Sequence, residues 1–381
     1  MSEWRFHPGP TILGGENIAQ RLAQELPNGA CLFVTDTHMI ESGLAAPYRD
    51  AIASTGRGVR IFDAVEADPS EKTLLDAVAA GREAGASHVV GFGGGSPMDV
   101  AKLAAYLIGS GDPLDSIWGV EQANGEGLPL ALVPTTAGTG SEATPVSIIT
   151  CEGGEKRGVN ARAIGARWAA LDPELTIGKP RALTAATGID AMVHAIEAYT
   201  SAHAKNPLSD MLAKQALGLL AGNLLTACEQ PDDRKARGAM LLGAHLAGLA
   251  FANAPVAGVH ALAYPLGGIY HLPHGLSNAL MLRPVLEHNS EAARELYAEL
   301  APILDPGCAN EASQGRTQRL IARLEELVVE SGLKPRLRDH DVPREDIPML
   351  AREAMKQQRL LVNNPCPIDE ADAARLYEAA W

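Results

Sequence analysis

Four side chains that can bind a divalent metal stand in the second half of the sequence. Asp190 and His194 are four residues apart in GIDAMVHAIE, a spacing that places both side chains on one face of a helix. His260 and His274 follow in VHALAYPLGGIYHLPHG. One carboxylate oxygen and three imidazole nitrogens form a donor set that suits Fe(II) or Zn(II). The pattern therefore predicts a metal site held by Asp190, His194, His260 and His274.

The predicted metal site lies in a part of the chain with few charges. Residues 238–282 contain no Asp, Glu, Lys or Arg, yet they include His245, His260, His271 and His274. Uncharged segments of this kind are usually interior, and a buried imidazole needs a partner for each ring nitrogen. Taken alone, an Asp and a His at this spacing are more often a capped or solvated pair than a pair of metal ligands. The leucines around His245 favour a hydrogen-bonded core residue, and His271 fits either role.

Composition and charge limit the classes of partner. At 381 residues, with 46% hydrophobic and 20% charged side chains, the chain is long enough for two globular domains. A net charge of −14 argues against a nucleic acid or an anionic membrane as partner and favours a small molecule. The prolines within residues 238–282 divide that apolar stretch into pieces too short to cross a bilayer.

Cysteine usage and the N-terminal residues indicate the compartment. The five cysteines are scattered singly with no CxxC pair, which favours free thiols in a reducing environment. The first residues, MSEWRFHPGP, show no basic-then-apolar signal pattern. We therefore expect a cytoplasmic protein.

Hydrophobic periodicity predicts an α/β domain followed by a helical one. Apolar runs at residues 30–36, 59–65, 88–95 and 129–136 have the length and composition of buried strands. Segments between them, such as SEKTLLDAVAAGREAG, repeat apolar residues with a helical period, so a mostly parallel sheet covered by helices is expected. Nearly every segment after residue 180 is helical. We therefore place an α/β dinucleotide-binding domain at residues 1–180 and an all-α metal domain at residues 181–381.

A glycine-rich loop follows the third predicted strand, at the edge where ligands bind in such a sheet. Gly93, Gly94, Gly95 and Ser96 stand in GGGSPMDVAK, where a helix starts near Pro97. Glycines let backbone N–H groups approach a pyrophosphate, and a helix N-terminus favours the same anion. The loop matches neither GxGxxG nor the Walker pattern, and a plain strand-to-helix turn would also favour glycine.

Polar residues also follow the first and fourth predicted strands. Asp36 can accept hydrogen bonds from both ribose hydroxyls of an adenosine and would repel a 2′-phosphate, which favours NAD over NADP. The alternative is that Asp36 only caps the next helix. PTTAGTGSE offers the hydroxyls of Thr135, Thr136 and Thr139 near the same edge, with a plain turn as the alternative.

Taken together, these motifs resemble a known family. The chain is similar to the iron-activated (group III) alcohol dehydrogenases, and most closely to their lactaldehyde reductase (propanediol oxidoreductase) branch, in GGGSPMDVAK, PTTAGTGSE, LDPELT, ATGIDAMVHAIEAYTS, VHALAYPLGGIYHLPHGLSNALML and LYEAAW. The resemblance covers almost the whole chain. It implies the dehydroquinate synthase-like fold of that family, with a dinucleotide-binding α/β domain, an all-helical metal domain and an active site in the cleft between them. It also implies a homodimer or a larger homo-oligomer.

The resemblance implies roles for individual residues. The implied metal ligands are again Asp190, His194, His260 and His274. The residues implied to line the phosphates and the nicotinamide ribose are Gly94, Gly95, Ser96 and Asp99. Those implied on the adenine side are Thr135, Thr136, Thr139 and, at the adenosine ribose, Lys156. Lys156 could otherwise be a solvated loop charge. Phe251 falls at a substrate-pocket aromatic, and Val146 and Ile148 would add to an apolar lining.

Two positions depart from the family's pattern. Tyr264 stands four residues after the third metal ligand, where the family commonly has a histidine near the nicotinamide. A phenol can relay a proton, but its ordinary pKa near 10 makes it a poorer relay at neutral pH than imidazole. Asp68 precedes Pro69 where the family often has asparagine, and an added acid beside the cofactor would alter its affinity.

We therefore expect a metal-dependent, NAD-linked oxidoreductase that interconverts a short-chain alcohol or diol and its aldehyde or ketone. The metal, Fe(II) by resemblance with Zn(II) as the alternative, would polarise the substrate oxygen while hydride passes to or from nicotinamide. Tyr264 and the ligand His260 are the expected catalytic residues. One alternative is a metal-independent reductase of the maleylacetate reductase type, a branch that does not keep the full ligand set. Another is a nucleotide-binding or metal-sensing protein without turnover.

Overall fold

The computed structural model describes residues 4–381, which form two compact units. One unit comprises Pro8–Thr176, and the other comprises residues 4–7 together with Ile177–Trp381. The boundary expected from the sequence lies between residues 180 and 181, at the start of the first helix of the second unit. The predicted fold class, an α/β unit followed by a helical one, is confirmed.

The first unit is built on a six-stranded parallel sheet. Its strands, with those of a smaller sheet, are β1 (Thr11–Gly14), β2 (Ala30–Val34), β3 (Val59–Phe62), β4 (Ala86–Gly93), β5 (Gly119–Val120), β6 (Leu130–Pro134), β7 (Val146–Thr150), β8 (Lys156–Asn160) and β9 (Trp168–Leu171). The large sheet has the order β1-β9-β6-β4-β2-β3, and every neighbouring pair is parallel. The small sheet has the order β5-β8-β7, with β7 and β8 antiparallel.

The central strands are apolar throughout because helices cover both faces of the large sheet. Successive side chains of a strand point to opposite faces, so β2 divides its residues between two cores. Leu32 and Val34 pack with residues of α4 (Glu71–Glu83) and α5 (Gly95–Ser110) on one face. Cys31 and Phe33 pack on the other face with α1 (Ile18–Glu25) and α3 (Ala46–Ser54). A short helix, α2 (Thr37–Glu41), follows β2.

The four predicted strands correspond to β2, β3, β4 and β6, and each ends earlier than predicted. The residues that follow them are already helix caps or turns. Asp36 is the N-cap of α2, Gly94 is the N-cap of α5, and Thr135 begins a turn. The edge strand β1, the strand β9 and the small sheet were not predicted.

The second unit consists of helices among the residues that the structure describes. They are α6 (Arg181–Thr200), α7 (Pro207–Glu229), α8 (Arg234–Asn253), α9 (Gly258–Tyr270), α10 (His274–Asn289), α11 (Arg294–Leu304), α12 (Ser313–Glu330), α13 (Ile347–Ala354), α14 (Gln358–Leu361) and α15 (Glu370–Ala380). Every residue of α6 from 188 to 200 is buried. A helix that is buried on all sides lies in the core of its domain.

The uncharged residues 238–282 form most of α8, all of α9 and the start of α10. Helices α8 and α9 meet at a bend of 107°, so this stretch is not one straight span. By length and composition alone, α7 is the helix of the described residues that could cross a membrane, and it packs against α6, α8 and α11. Such a composition is also common in the core helices of globular proteins.

Candidate active site

The four predicted metal ligands lie together in the helical unit. Asp190 and His194 stand one turn apart on α6, His260 lies in the first turn of α9, and His274 is the first residue of α10. One ligand atom from each residue can be chosen so that all four lie within 4.8 Å of one another. The N-terminal ends of α9 and α10 thus face the same side of the buried helix α6.

The distances within this cluster suit a single ion. Asp190 Oδ1 is 3.8 Å from His194 Nε2, 3.8 Å from His260 Nε2 and 3.6 Å from His274 Nε2. A tetrahedral ion with bonds of about 2.1 Å separates its ligand atoms by roughly 3.4 Å. Asp190, His194 and His260 are buried, whereas the side chain of His274 is 46% exposed. The cluster therefore has one side from which an ion or a substrate could enter.

The surroundings of Asp190 favour its ionised form. Asn278 lies one turn after His274 on α10, donates from Nδ2 to Asp190 Oδ1 at 2.6 Å, and is 3.1 Å from His260 Nε2. Burial on its own raises the pKa of Asp190, but the facing imidazoles of His194, His274 and His260 and the Asn278 hydrogen bond hold that pKa below its ordinary value. An ionised carboxylate among imidazole nitrogens is what a divalent ion requires.

Sequence reasoning missed Glu197, as it did Asn278. Its carboxylate Oε2 lies 2.6 Å from His260 Nδ1, and the side chain is buried. The signal was present, because Asp190, His194 and Glu197 are spaced at i, i+4 and i+7 and share one helix face. Acids buried on an apolar helix need a partner, and here that partner is a predicted metal ligand.

Aromatic rings adjoin the histidine cluster. The Phe251 ring stacks on the His194 ring with centroids 4.4 Å apart, and the Tyr264 ring lies 6.0 Å from the His274 ring. The sequence analysis predicted that Phe251 lines the substrate pocket and that Tyr264 relays a proton. His245 is buried in α8 as expected, whereas His271 is exposed at the left-handed C-cap of α9 and is not a member of the cluster.

The glycine loop of the first unit forms a cradle at the start of a long helix. Gly93 has φ +147°, a conformation that favours glycine, and a Cβ there would lie 2.7 Å from Pro97 Cγ. Gly94 is the N-cap of the 16-residue helix α5 and brings no side chain to its first N–H groups. Those N–H groups have no partner within the helix. Ser96 is half-buried in the same first turn, so an anion such as a pyrophosphate fits this loop.

Asp36 lies beside the glycine loop and also caps a helix. Its Oδ1 accepts the backbone N–H of Met39 at 3.0 Å, as the capping alternative predicted. Its Oδ2 would lie 3.5 Å from a Cβ placed on Gly93. Capping thus uses one carboxylate oxygen and directs the other toward the glycine loop. The ribose contact of Asp36 stays a prediction.

The hydroxyl loop, residues 135–141, adjoins the glycine loop. Thr135 donates its backbone N–H to Gly93 O at 2.9 Å. A Cβ on Gly94 would lie 3.7 Å from Thr136 Oγ1, and one on Gly95 would lie 3.3 Å from Thr139 Cγ2. Larger side chains in the glycine loop would therefore meet the threonines. The two loops form one continuous polar edge at the carboxyl ends of β4 and β6.

Asp99 and Lys102 tie the hydroxyl loop to α5. Asp99 accepts the Ser141 hydroxyl at 2.7 Å and the Ile148 N–H at 3.0 Å. The fully buried Lys102 donates from Nζ to Ser141 Oγ and to Val146 O, both at 2.6 Å. Burial lowers the pKa of Lys102, against the opposing effect of the nearby Asp99 and Glu142 carboxylates. Sequence reasoning did not identify Lys102, and the cofactor contact of Asp99 stays a prediction.

Asp68 and Lys156 form an exposed ion pair at the same edge. Lys156 Nζ lies 2.7 Å from Asp68 Oδ1, and Thr150 donates its hydroxyl to Asp68 O. The pair joins the loop after β3 to the start of β8. Both residues were expected to contact the cofactor, and the structure places them together. Val146, a predicted substrate residue, is the half-buried first residue of β7.

These features define a class of protein. A glycine loop at the carboxyl edge of a parallel sheet is the arrangement of dinucleotide-binding domains. A cluster of one carboxylate and three imidazoles, with one member exposed to solvent, is a donor set that suits a divalent metal such as Fe(II) or Zn(II). The combination is that of a metal-dependent oxidoreductase that uses a nicotinamide dinucleotide.

Comparison with known proteins confirms this class. Residues 9–173 match the family described as "Iron-containing alcohol dehydrogenase", and residues 184–381 match "Fe-containing alcohol dehydrogenase family, C-terminal". The chain belongs to the iron-containing alcohol dehydrogenase family. The resemblance found in the sequence motifs is confirmed, and the chain is an oxidoreductase.

Similar proteins cover nearly the full chain. Long-chain-alcohol dehydrogenase 1 of Geobacillus thermodenitrificans is 38% identical over 92% of this chain and 89% of its own length. The 1,3-propanediol dehydrogenase of Klebsiella pneumoniae is 34% identical over 99% of this chain and 96% of its own length. A crystal structure of sulfoacetaldehyde reductase from Bifidobacterium kashiwanohense in complex with NAD+ covers 100% of this chain and 99% of its own, at TM-score 0.89 and 28% identity.

Proposed function

We propose that this chain uses Fe(II), held by Asp190, His194, His260 and His274, and NAD to interconvert a short-chain alcohol or diol and its aldehyde or ketone. The observation that carries the proposal is the convergence of one possible ligand atom from each of these four residues within 4.8 Å, with three of the residues buried and His274 exposed. Family membership supports a metal and a nicotinamide cofactor. The donor set alone would accept either Fe(II) or Zn(II). Iron is preferred here because the chain belongs to a family of iron-containing enzymes.

Support for NAD comes from the first unit. The cradle of Gly93, Gly94 and Gly95 at the start of α5 can hold the pyrophosphate, with Ser96 and the hydroxyl loop beside it. Asp36 directs one carboxylate oxygen toward this loop and would repel a 2′-phosphate. The structural relative with NAD+ supports the same cofactor. Lys156 and Asp68 are proposed to lie at its adenosine side.

A divalent ion bound at the cluster supplies a Lewis acid for the substrate oxygen. The carboxylate of Asp190 and the imidazoles of the three histidines would hold that ion, and the carboxylate would offset part of its charge. Phe251, stacked on His194, presents an apolar surface beside the cluster, which suits the carbon chain of an alcohol. A nicotinamide bound in the first unit would supply the hydride chemistry of the reaction.

A second substrate class is longer alcohols. The relative from Geobacillus thermodenitrificans named long-chain-alcohol dehydrogenase is 38% identical to this chain, whereas the propanediol dehydrogenase is 34% identical. A single phenylalanine beside the cluster does not limit the length of the carbon chain. Ethanol, propane-1,2-diol, propane-1,3-diol, hexanol and dodecanol should therefore be compared by kcat/KM with NAD.

The test of the proposed function combines metal analysis with chelation. We expect purified protein to hold about one iron per chain and to reduce NAD with at least one of these alcohols. Chelation should remove both the metal and the activity. Because the donor set would accept either ion, Fe(II) and Zn(II) are added back separately, and we expect Fe(II) to restore the higher rate.

Two outcomes of this test would contradict the proposal. Full activity after complete removal of metal would move the chain to metal-independent reductases of the maleylacetate reductase type. Tight binding of NAD and metal without NADH formation across the alcohol panel would indicate a binding or sensing protein. Higher activity with Zn(II) than with Fe(II) would correct the metal and leave the reaction in place.

Tyr264 is proposed to relay the proton between the substrate oxygen and solvent. The centroid of its ring lies 6.0 Å from the ring centroid of His274, which is the exposed member of the cluster. We expect Tyr264→Phe to lower kcat by about 10²-fold, in the range of general acid–base catalysis, with little change in the Kd for NAD. The measurement is the pH profile of kcat for both proteins. An unchanged rate and profile would show that the phenol only packs.

We also propose that the protein is cytoplasmic and forms a homodimer or a larger homo-oligomer. Five free cysteines among the described residues support a reducing compartment. Sedimentation equilibrium measures the oligomer, and a monomer at micromolar concentration would contradict that part of the proposal.

A further inference from the structure

Glu197 connects the helix that carries Asp190 and His194 to the segment that carries His260. The residue lies on α6, and only 3% of its surface is exposed. Its Oε2 accepts His260 Nδ1–H at 2.6 Å and Ala257 N–H at 2.9 Å, and its Oε1 accepts Val259 N–H at 2.6 Å. All three donors come from the four residues that begin α9. The carboxylate therefore holds the start of that helix.

The start of α9 needs such a partner because its own N-cap offers none. Ala257 is the N-cap residue and makes no side-chain cap hydrogen bond. The first N–H groups of a helix have no partner within the helix, and burial without one is costly. A carboxylate at this end also has a favourable interaction with the helix dipole. Glu197 thus acts as the cap of α9, although it lies 60 residues before Ala257 in the chain.

The hydrogen bonds of Glu197 also determine where the proton of His260 lies. With a proton on Nδ1, directed at Glu197, the ring presents the lone pair of Nε2. That nitrogen is the atom 3.8 Å from Asp190 Oδ1, inside the ligand cluster.

Only a carboxylate can make all three contacts. A glutamine at position 197 would place its NH₂ group at one of the two oxygen positions. At the Oε1 position that group would face Val259 N–H, donor against donor. At the Oε2 position it would face Ala257 N–H and would favour an acceptor at His260 Nδ1, which moves the ring proton to Nε2. Either arrangement disturbs the start of α9 or blocks the ligand atom.

We propose that Glu197 is a positioning residue that holds His260 in the tautomer and orientation needed to bind the metal through Nε2. The inference rests on the proposed metal-dependent function. It predicts that the identity of residue 197 controls metal affinity although Glu197 is not itself a ligand. Outer partners of metal-binding histidines commonly change affinity by about 10–100-fold when they are removed.

The test measures metal affinity rather than turnover. Metal-free wild type, Glu197→Gln and Asn206→Ala are titrated with Zn(II) alone, in competition with a chromophoric chelator. We expect Glu197→Gln to bind Zn(II) about 10–100-fold more weakly. Asn206 is the N-cap of α7 and accepts Ser209 N–H, so Asn206→Ala removes a helix cap in the same unit without a contact to His260. We expect this control to have a lower thermal midpoint and wild-type Zn(II) affinity.

The outcomes separate this inference from the proposed function. Equal Zn(II) affinity in wild type and Glu197→Gln overturns the inference and leaves the function intact. A wild-type chain that binds no Zn(II) or Fe(II) refutes the proposed function, and the inference with it. If Glu197→Gln does not fold, ¹⁵N NMR of histidine-labelled, metal-free wild type decides. A proton on His260 Nδ1 supports the inference, and a proton on Nε2 overturns it.

Discussion

Replacing His274 by alanine is expected to remove the bound metal and to lower kcat/KM by about 10³-fold or more. The ligand set would fall from four atoms to three, and a Lewis acid is worth several kcal/mol at the transition state, at about 1.4 kcal/mol for each factor of ten. His274 is the most informative ligand to remove, because its side chain is 46% exposed and alanine leaves no large cavity. Metal content, kcat/KM and thermal midpoint should be measured on the same samples.

The matched control for this variant is His271→Asn. His271 stands three residues earlier, is exposed and lies outside the cluster, and asparagine tolerates its left-handed conformation at φ +56°. We expect wild-type metal content and activity in this control. His260→Ala should lose metal and activity as His274→Ala does, with an added loss of stability because Glu197 loses a buried donor. Full activity in metal-free His274→Ala protein would refute the metal site.

Replacing Gly275 by alanine is expected to disturb both the fold and the metal site. A Cβ on Gly275 would lie 2.3 Å from the backbone oxygen of Ala186 and 3.3 Å from Asp190 Cβ. The backbone of α6 cannot rotate out of the way as a flexible side chain can. Helix α10 must therefore move away from α6. Overpacking of this kind costs about 1–3 kcal/mol, and here it separates His274 from Asp190. We expect a lower free energy of unfolding and weaker Zn(II) binding.

Gly268→Ala is the control for that prediction. Gly268 is exposed inside α9, and a Cβ added there would meet no neighbouring residue within 4 Å. Alanine is favoured over glycine in a helix by up to about 1 kcal/mol, so this variant should be unchanged or slightly more stable. Urea unfolding and Zn(II) titration of the two variants measure the difference. Equal stability and affinity in Gly275→Ala and wild type would show that the two helices can separate without cost.

The sequence by itself identified the parts of the site that depend on local spacing. Asp190 and His194 are one helical turn apart, and the absence of charge around His260 and His274 predicted an interior position, which holds for His260 but not for the half-exposed His274. The glycine loop and the central strands were also recognisable, because a buried parallel strand is a continuous apolar run and the turn after it needs glycine. Such patterns are encoded within about ten residues, so no contact between distant parts of the chain is needed to detect them.

Only the tertiary structure decided the contacts between distant residues. Glu197 meets His260 across 63 residues, and Gly275 approaches the backbone of Ala186 across the pairing of α6 and α10. Lys102 stands in the apolar run VAKLAAYL, yet only the fold shows that its ammonium group is buried against Ser141 and Val146. Periodicity shows which face of an element is buried, whereas the partner of that face follows from how all the elements pack together. The predicted ligands could therefore be found in the sequence, and the residues that contact them only in the fold.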